Sequence, residues 1–275
     1  MRLGIVAQKG NGRARDLAIG VARDVGDSAS VRVDANTASV ADAPVEGVHI
    51  AEMTGDDLVV SVGGDGTFLH VARRVGATPI LGVNLGEVGF LNAVSPGEAT
   101  ESVRAELAHI EETGTPRYHE VSRVRAGGET FSLAPALNEV VVQAPTRGHG
   151  QRVDIAVLVD GSAYMDDRSD GVVVATRTGS TAYSLSEGGP IVHPSASGMV
   201  VTPMCPRDPI PPVVVGADRT VVVRVDHGGP IVVVGDGSER ERVDTPAEVE
   251  IDLGSPPARI AGPRSEFFRA LEKID

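Results

Sequence analysis

The order of strand-like and helix-like stretches constrains this chain more than any other feature. Over the first hundred residues, short apolar runs alternate with segments of helical spacing. Leu3 to Ala7 reads as a buried strand and Gly10-Asn11-Gly12 as a turn. Arg13 to Val25 reads as a helix that brings Leu17, Ala18, Val21 and Val25 to one face. Strands are expected again at Val31–Val33, Asp57–Val62 and Pro79–Val83, with a helix over Thr67–Val75. Such alternation calls for crossover connections and a mainly parallel sheet. From about residue 118 the pattern changes. Val-rich alternating runs recur at 137–143, 153–159, 171–175, 199–202, 213–215, 221–225 and 231–234, divided by Gly, Pro and Asp clusters. That spacing belongs to a layered sheet or sandwich.

The expected fold is therefore an α/β N-terminal domain with a mainly parallel sheet, followed by an all-β C-terminal domain. The boundary is expected at Ser95-Pro96-Gly97, with Glu98 to Glu112 as a connecting helix. This gives an α/β domain over 1–97, a β-rich domain over 98–254, and a segment 255–275 packing back on the first. A short helix is expected from Ser180 to Glu187 and a terminal helix from Ser265 to Ile274, with Pro256-Pro257 and Gly262-Pro263 punctuating the approach.

Charge and cysteine content exclude several classes of function. A formal net charge of -13 opposes nonspecific DNA or RNA binding, which needs basic surface against phosphates. It leaves open a phosphate-bearing small molecule, since a local nest of amides binds anions inside an acidic protein. Lys9 and Lys273 are the only lysines, and arginine carries the remaining positive charge. An acidic, lysine-poor, aromatic-poor chain fits a high-salt cytoplasm, where counterions screen its self-repulsion. A GC-rich genome is the alternative source of the same bias. Cys205 is the sole cysteine, so neither an internal disulfide nor a thiolate zinc cluster is available, and it reads as a small core residue. No run of about 18 apolar residues suggests a membrane span. The N-terminal apolar stretch breaks into Gln8-Lys9-Gly10 too early for a signal peptide. A cytoplasmic protein is expected.

Three segments carry candidate chemistry. Gly63-Gly64-Asp65-Gly66-Thr67 follows a buried strand and opens a helix, the place where open α/β sheets bind ligands. Its glycines let amides approach phosphate oxygens, while Asp65 is costly there unless it takes a proton or holds a metal. The alternative is a tight turn with Thr67 or Asp65 capping the helix. Thr176-Arg177-Thr178-Gly179-Ser180-Thr181-Ala182-Tyr183-Ser184-Leu185-Ser186 crowds hydroxyls around Gly179 after the strand Val172–Ala175. There Ser180 and Thr181 are available as helix caps, and Tyr183 either stacks on a base or packs in the core. Arg168-Ser169-Asp170-Gly171 adds a charge pair just upstream. Finally, Asn138 and Glu139 interrupt an apolar strand and need partners if buried; a solvated strand end is the other reading. His193 reads as a turn-stabilising residue. The chain has no Gly-x-x-x-x-Gly-Lys-Ser/Thr loop and no Gly-x-Ser-x-Gly elbow.

Taken in order, these segments resemble the NAD kinase family. The resemblance runs from Gly63–Thr67 through Asn84-Leu85-Gly86-Glu87-Val88-Gly89-Phe90-Leu91 and Leu137-Asn138-Glu139 to Asp170-Gly171. It continues through Thr178–Ser186 and Gly188-Gly189-Pro190-Ile191-Val192-His193-Pro194. The Gly-Gly-Asp-Gly-Thr turn is shared with diacylglycerol and sphingosine kinases, whereas the Thr-Gly-Ser-Thr-Ala-Tyr block and the Asn-Glu pair are more specific. The resemblance implies an enzyme that transfers a phosphoryl group from ATP, or polyphosphate, to the 2′-hydroxyl of the adenosine ribose of NAD. It implies NAD bound between the two domains, with the β-rich domain as its main holder, Mg²⁺ accompanying ATP, and a homodimer or homotetramer. It makes Asp65 the general base, with Gly63, Gly64, Gly66 and Thr67 beside the same ligand. Asn138 and Glu139 would hold the nucleotide, Thr181 to Ser186 would line the adenine and ribose pocket with Thr178, Gly179 and Ser180 also binding the ligand, and Arg168 and Asp170 would lie toward the nicotinamide or a subunit boundary. The chain departs from the family pattern at Glu87, at Arg177, over Pro206–Pro212 and at Ser238. Competing readings are a non-catalytic NAD(P)-binding regulator and a diacylglycerol-kinase-like lipid kinase.

Overall fold

The computed structural model describes residues 1–39, 45–86, 89–146 and 152–272, with no account of the Ser255 side chain. Glu87, Lys273 and Ile274 therefore lie outside the described residues. The chain divides into two compact units, Met1–Val121 with Pro256–Asp275, and Ser122–Ser255.

The first unit begins with β1 (Arg2–Ala7), α1 (Gly12–Val25), β2 (Ser30–Asp34), α2 (Ala35–Ala38) and β3 (Glu46–Val48). It continues with β4 (Leu58–Gly63), α3 (Asp65–Val75), β5 (Ile80–Asn84) and α4 (Ala99–Thr113). Its strands run in the order β3-β2-β1-β4-β5, all parallel. Asn11 caps α1 by accepting from the Arg13 and Ala14 amides, a contact typically worth about 1 kcal/mol. The helix buries Ala14, Ala18, Val21, Ala22 and Val25, and shares a core with Leu58, Val60 and Val62 of β4 and Val103, Leu107 and Ile110 of α4. On β4 every residue is buried, so the strand is covered on both faces, as parallel strands in such folds require. Helix α4, expected to open the second domain, belongs to the first unit. Its hydrophobic stripe needs the α1 surface to bury it.

Strand β6 (Tyr118–Gly127) runs into the second unit, which continues with β7 (Glu139–Gln143), β8 (Val153–Val159), β9 (Ser162–Ser169) and β10 (Gly171–Thr176). Then come α5 (Tyr183–Ser186), β11 (Met199–Met204), β12 (Val213–Val215), β13 (Val221–Val225), β14 (Ile231–Gly235), β15 (Glu239–Val243) and β16 (Ala247–Ala261), before α6 (Phe267–Leu271) closes the chain. The sheet β12-β11-β10-β7-β14-β15 is antiparallel throughout. Residues 247–251 of β16 pair with β13, which pairs with β8, which pairs with β9. One core joins Val140, Val142, Val172, Val174, Met199 and Val201 of the first sheet to Ile155, Val157, Val221, Val223 and Val249 of the second. This is a sandwich. The other face of the six-stranded sheet buries Val141, Val173, Ala175, Val200 and Val234 against Val192 and Tyr183. Covering on both faces explains the unbroken apolar runs of β7, β10 and β11.

Three sequence expectations change here. Pro256-Pro257 lies inside β16 rather than breaking the chain on the approach to the terminal helix. It falls between the ladder with β13, ending at Ile251, and the parallel ladder with β5, beginning at Ile260, where neither of those ladders needs a proline N–H. The terminal helix is one short segment, Phe267–Leu271. Cys205 is exposed, not a core residue: the chain turns out of β11 there with Cys205 at φ 47°.

Candidate active site

Asp65 sits two residues past the end of β4, in the first turn of α3. Gly64 is the N-cap and no side chain caps the helix, so neither Asp65 nor Thr67 plays the capping role. The Asp65 carboxylate instead accepts from a segment far along the chain. The Phe90 amide donates at 2.9 Å, the Asn92 side-chain amide at 3.1 Å and the Leu91 amide at 3.4 Å. Gly89 is closely confined, because a Cβ there would overlap the Asp65 carboxylate and force it to shift. Gly63 is equally confined, its Cβ position being taken by the Thr67 hydroxyl group. At Gly64 and Gly66, by contrast, a Cβ would meet open space. Burial raises the Asp65 pKa above the ordinary carboxylate value, against the lowering effect of the Phe90, Leu91 and Asn92 donors. Asn92 is 1% exposed, and the sequence reading did not single it out. Its signal was only its place next to the Asn84–Leu91 motif.

In the second unit, Asn138 and Glu139 stand where β7 begins, and Asp236 holds their backbone. One Asp236 carboxylate oxygen accepts from the Asn138 amide at 2.7 Å and the Glu139 amide at 3.3 Å, and the other accepts from Leu137 at 2.9 Å. Asp236 has φ 43°, in the β14–β15 turn. Its Val-Gly-Asp-Gly context signalled a turn and gave no sign of this role. The Glu139 side chain is buried, not solvated at a strand end, and its Oε2 has no hydrogen-bond partner among the described residues. Burial and the neighbouring Asp236 carboxylate push its pKa up to about 8.

The hydroxyl-rich block divides by direction. Thr176 donates its hydroxyl to the Leu137 carbonyl at 2.7 Å and its amide to the Asn138 carbonyl at 2.8 Å. The same hydroxyl accepts from the Gly179 amide at 3.1 Å. Ser180 is fully buried, donating to the Arg177 carbonyl and accepting from the Val192 amide. Ser184 shares a hydrogen bond of 3.0 Å with Thr202. Thr178, Thr181, Ala182, Tyr183 and Leu185 are partly accessible and Ser186 is exposed. The expected helix is a 3-10 turn, Gly179–Thr181, followed by the single turn α5, and neither Ser180 nor Thr181 caps it. The Tyr183 hydroxyl donates to Glu187 at 2.5 Å.

Arg168 and Asp170 do not pair with each other. Arg168 is exposed, near Asp154 and the Arg152 carbonyl, while the Arg152 guanidinium lies 3.5 Å from the buried Asp170. His193 bonds Ser195 in a turn. Arg177 reaches the Ala196 carbonyl at 3.3 Å. Within the 206–212 departure, Arg207 and the Asp208 amide both engage the buried Asp167. Ser238 is exposed. Among the described residues no three His, Cys, Asp or Glu side chains gather as a metal site. Among the described residues no helix is long and apolar enough to cross a membrane.

Residues 4–111 match the ATP-NAD kinase N-terminal domain, which includes Asp65 and its partners, and 137–261 match the ATP-NAD kinase C-terminal domain. The chain belongs to the NAD kinase family. The NAD kinase of Halobacterium salinarum is 52% identical and that of Haloarcula marismortui 48%, each aligned over all of both chains. An NAD kinase from Archaeoglobus fulgidus, solved in complex with ATP, superposes with a TM-score of 0.75 at 29% identity, covering 99% of this chain and 97% of that one. Yeast NADH kinase, solved with NADH, shares the fold at a TM-score of 0.87 and 21% identity, covering 100% of this chain and 87% of that one. NAD kinases are phosphotransferases, and NAD kinase activity is the function of this chain. The lipid-kinase and regulator readings are set aside.

Proposed function

We propose that Asp65 is the general base of this NAD kinase. It takes the proton of the adenosine ribose 2′-hydroxyl while that oxygen attacks the γ-phosphorus of ATP, and ADP leaves with the electrons of the broken P–O bond. The observation that carries the reading is the aim of the Asp65 carboxylate. It is turned away from its own helix and fixed by Phe90, Leu91 and Asn92, and its burial favours proton uptake. The open space beside Gly64 and Gly66 gives phosphate oxygens close approach to the backbone. Mg²⁺ enters as part of the ATP substrate, where it neutralises phosphate charge.

The two units are read as the working domains, the first supplying Asp65 with Gly63, Gly64, Gly66 and Thr67. The second supplies Asn138 and Glu139, with Thr178, Thr181, Ala182, Tyr183, Leu185 and Ser186 offering accessible surface to the adenosine. Gly179, Ser180 and Ser184 shape that surface from below, and Arg168 and Asp170 contribute at its nicotinamide or subunit side. A homodimer or homotetramer in the cytoplasm completes the proposal, on the family resemblance and the acidic, lysine-poor composition. The test is NADP formation from NAD, ATP and Mg²⁺ at low and at molar salt. Asp65→Asn should slow it by roughly 10²- to 10⁴-fold while leaving NAD binding intact. Near-normal turnover by a folded Asp65→Asn protein would remove the base assignment.

A further inference from the structure

Residues 89–92 hold the Asp65 carboxylate but have no regular ladder of their own. Asn92 and Leu91 are anchored by burial, at 1% and 4% exposure. Phe90, which supplies the shortest bond to Asp65, is only partly buried. Its ring meets that of Phe267, centroid to centroid at 6.0 Å with the planes inclined by 60°. Phe267 opens α6, and α6 is seated by Ala270, which is 2% exposed. On its other side Phe267 makes an edge-to-face pair with Phe268 at 5.5 Å. The chain reaches α6 directly from β16, whose Ile260 and Ala261 pair with Ile80 and Leu81 of β5. Strand β5 leads into the 89–92 segment on one side, and the returning tail braces that segment through the contact of the Phe90 and Phe267 rings.

We propose that Phe267 is a positioning residue for catalysis: through the Phe90 ring it fixes the backbone amide that aims Asp65. The inference rests on the reading of Asp65 as base. Irregular segments open locally at low cost, so a contact that restrains one amide changes how often the carboxylate is correctly held. The contact acts on the chemical step and leaves nucleotide binding alone. Loosening the Phe90 amide also removes a donor that favours ionised Asp65, so the base should then be neutralised at higher pH.

The experiment compares Phe267→Ala, Phe267→Tyr and the exposed control Arg269→Ala in the full-length enzyme at molar salt. Phe267→Ala should lower kcat by about ten- to hundredfold, leave the KM for NAD unchanged, and move the acid limb of the kcat profile to higher pH. Phe267→Tyr, which keeps the ring, should restore both. If the alanine variant does not fold, Phe267→Leu takes its place with the same readouts. A wild-type kcat and pH profile, or a loss that tyrosine fails to restore, overturns the proposal. Wild-type turnover in Asp65→Asn would remove the base itself, whereas wild-type turnover in Phe267→Ala beside a slowed Asp65→Asn removes only the role of Phe267.

Discussion

Gly179 lies so close to the backbone carbonyl of Asn138 that no Cβ fits between them. The start of β7 and the turn after β10 are thereby locked at one spacing, with Thr176 donating to the carbonyls of both Leu137 and Asn138. Gly179→Ala should force that contact apart. An overpacked backbone contact costs about 1–3 kcal/mol, and the displaced strand end carries Asn138 and Glu139 with it. A lower thermal midpoint together with a raised KM for NAD is the expected outcome. An unchanged KM in the folded variant would mean that this spacing does not serve the nucleotide.

Glu139 predicts an unusual pH dependence of stability. Its folded pKa is pushed up to about 8 from a reference of 4.5, so the folded state holds its proton more tightly than the unfolded chain. Its contribution is fully present below the unfolded value and is lost as pH rises through the folded one. Glu139→Gln keeps a neutral side chain at every pH. The variant should match the wild type near pH 4 and exceed it increasingly toward pH 8, with a constant advantage above. Paired thermal melts across that range measure the difference, and a gap that narrows as pH rises would contradict the assignment.

Asp65 has the same direction of shift, but under its proposed role as base the consequence differs, because the ionised form would then be the working form. As pH falls through the raised Asp65 value the base is protonated and kcat declines. The acid limb of the profile should therefore lie above the ordinary carboxylate range. Asp65→Asn should remove the limb and lower kcat by roughly 10²- to 10⁴-fold, the usual range for general acid–base catalysis.

Asp236 accepts three consecutive amides, and alanine would leave all three without that acceptor. The cost should be roughly 2–3 kcal/mol, since hydrogen bonds to charged groups are among the stronger ones. Asp236→Asn keeps one acceptor oxygen and should recover part of it. Denaturant melts of both variants provide the comparison, and equal stabilities would show that the amides find other partners.

If, as proposed, Mg²⁺ arrives as part of the ATP substrate, chelation should stop turnover without loosening the fold. Added chelator is expected to abolish NADP formation, excess Mg²⁺ to restore it, and the thermal midpoint to stay constant. A midpoint that falls on chelation would point to a resident structural ion.

The parts of this molecule that were legible in advance are those whose signals are local. Strands β8, β12 and β13 stand at the expected positions because alternating valines face a core on one side. Strand β15, Glu-Arg-Glu-Arg-Val, was missed because it is an edge strand whose exposed charges hide any apolar face. Strand β9 was missed for a related reason, with Met165 its only fully buried hydrophobic residue. Asp65 was visible as a candidate from the glycines around it. Asn92 and Asp236 were not, because their partners lie 27 and 98 residues away in the chain, and contacts over such distances leave no periodic trace. The inward turn of Ser180 and Ser184 was likewise hidden, since hydroxyl content does not reveal which way each side chain points.

Strand β16 has a consequence for how the molecule is made. Its last residues form the outer neighbour of β5, yet they are synthesised only after the whole of Ser122–Ser255. Until then Ile80 and Leu81 of β5, beyond the stretch that Val94 covers, present an unpaired parallel edge to every other nascent chain around them. The first unit to emerge from the ribosome is thus the last to be finished. A chain stopped short of Ile260 should carry a complete set of second-unit strands and still aggregate through the first.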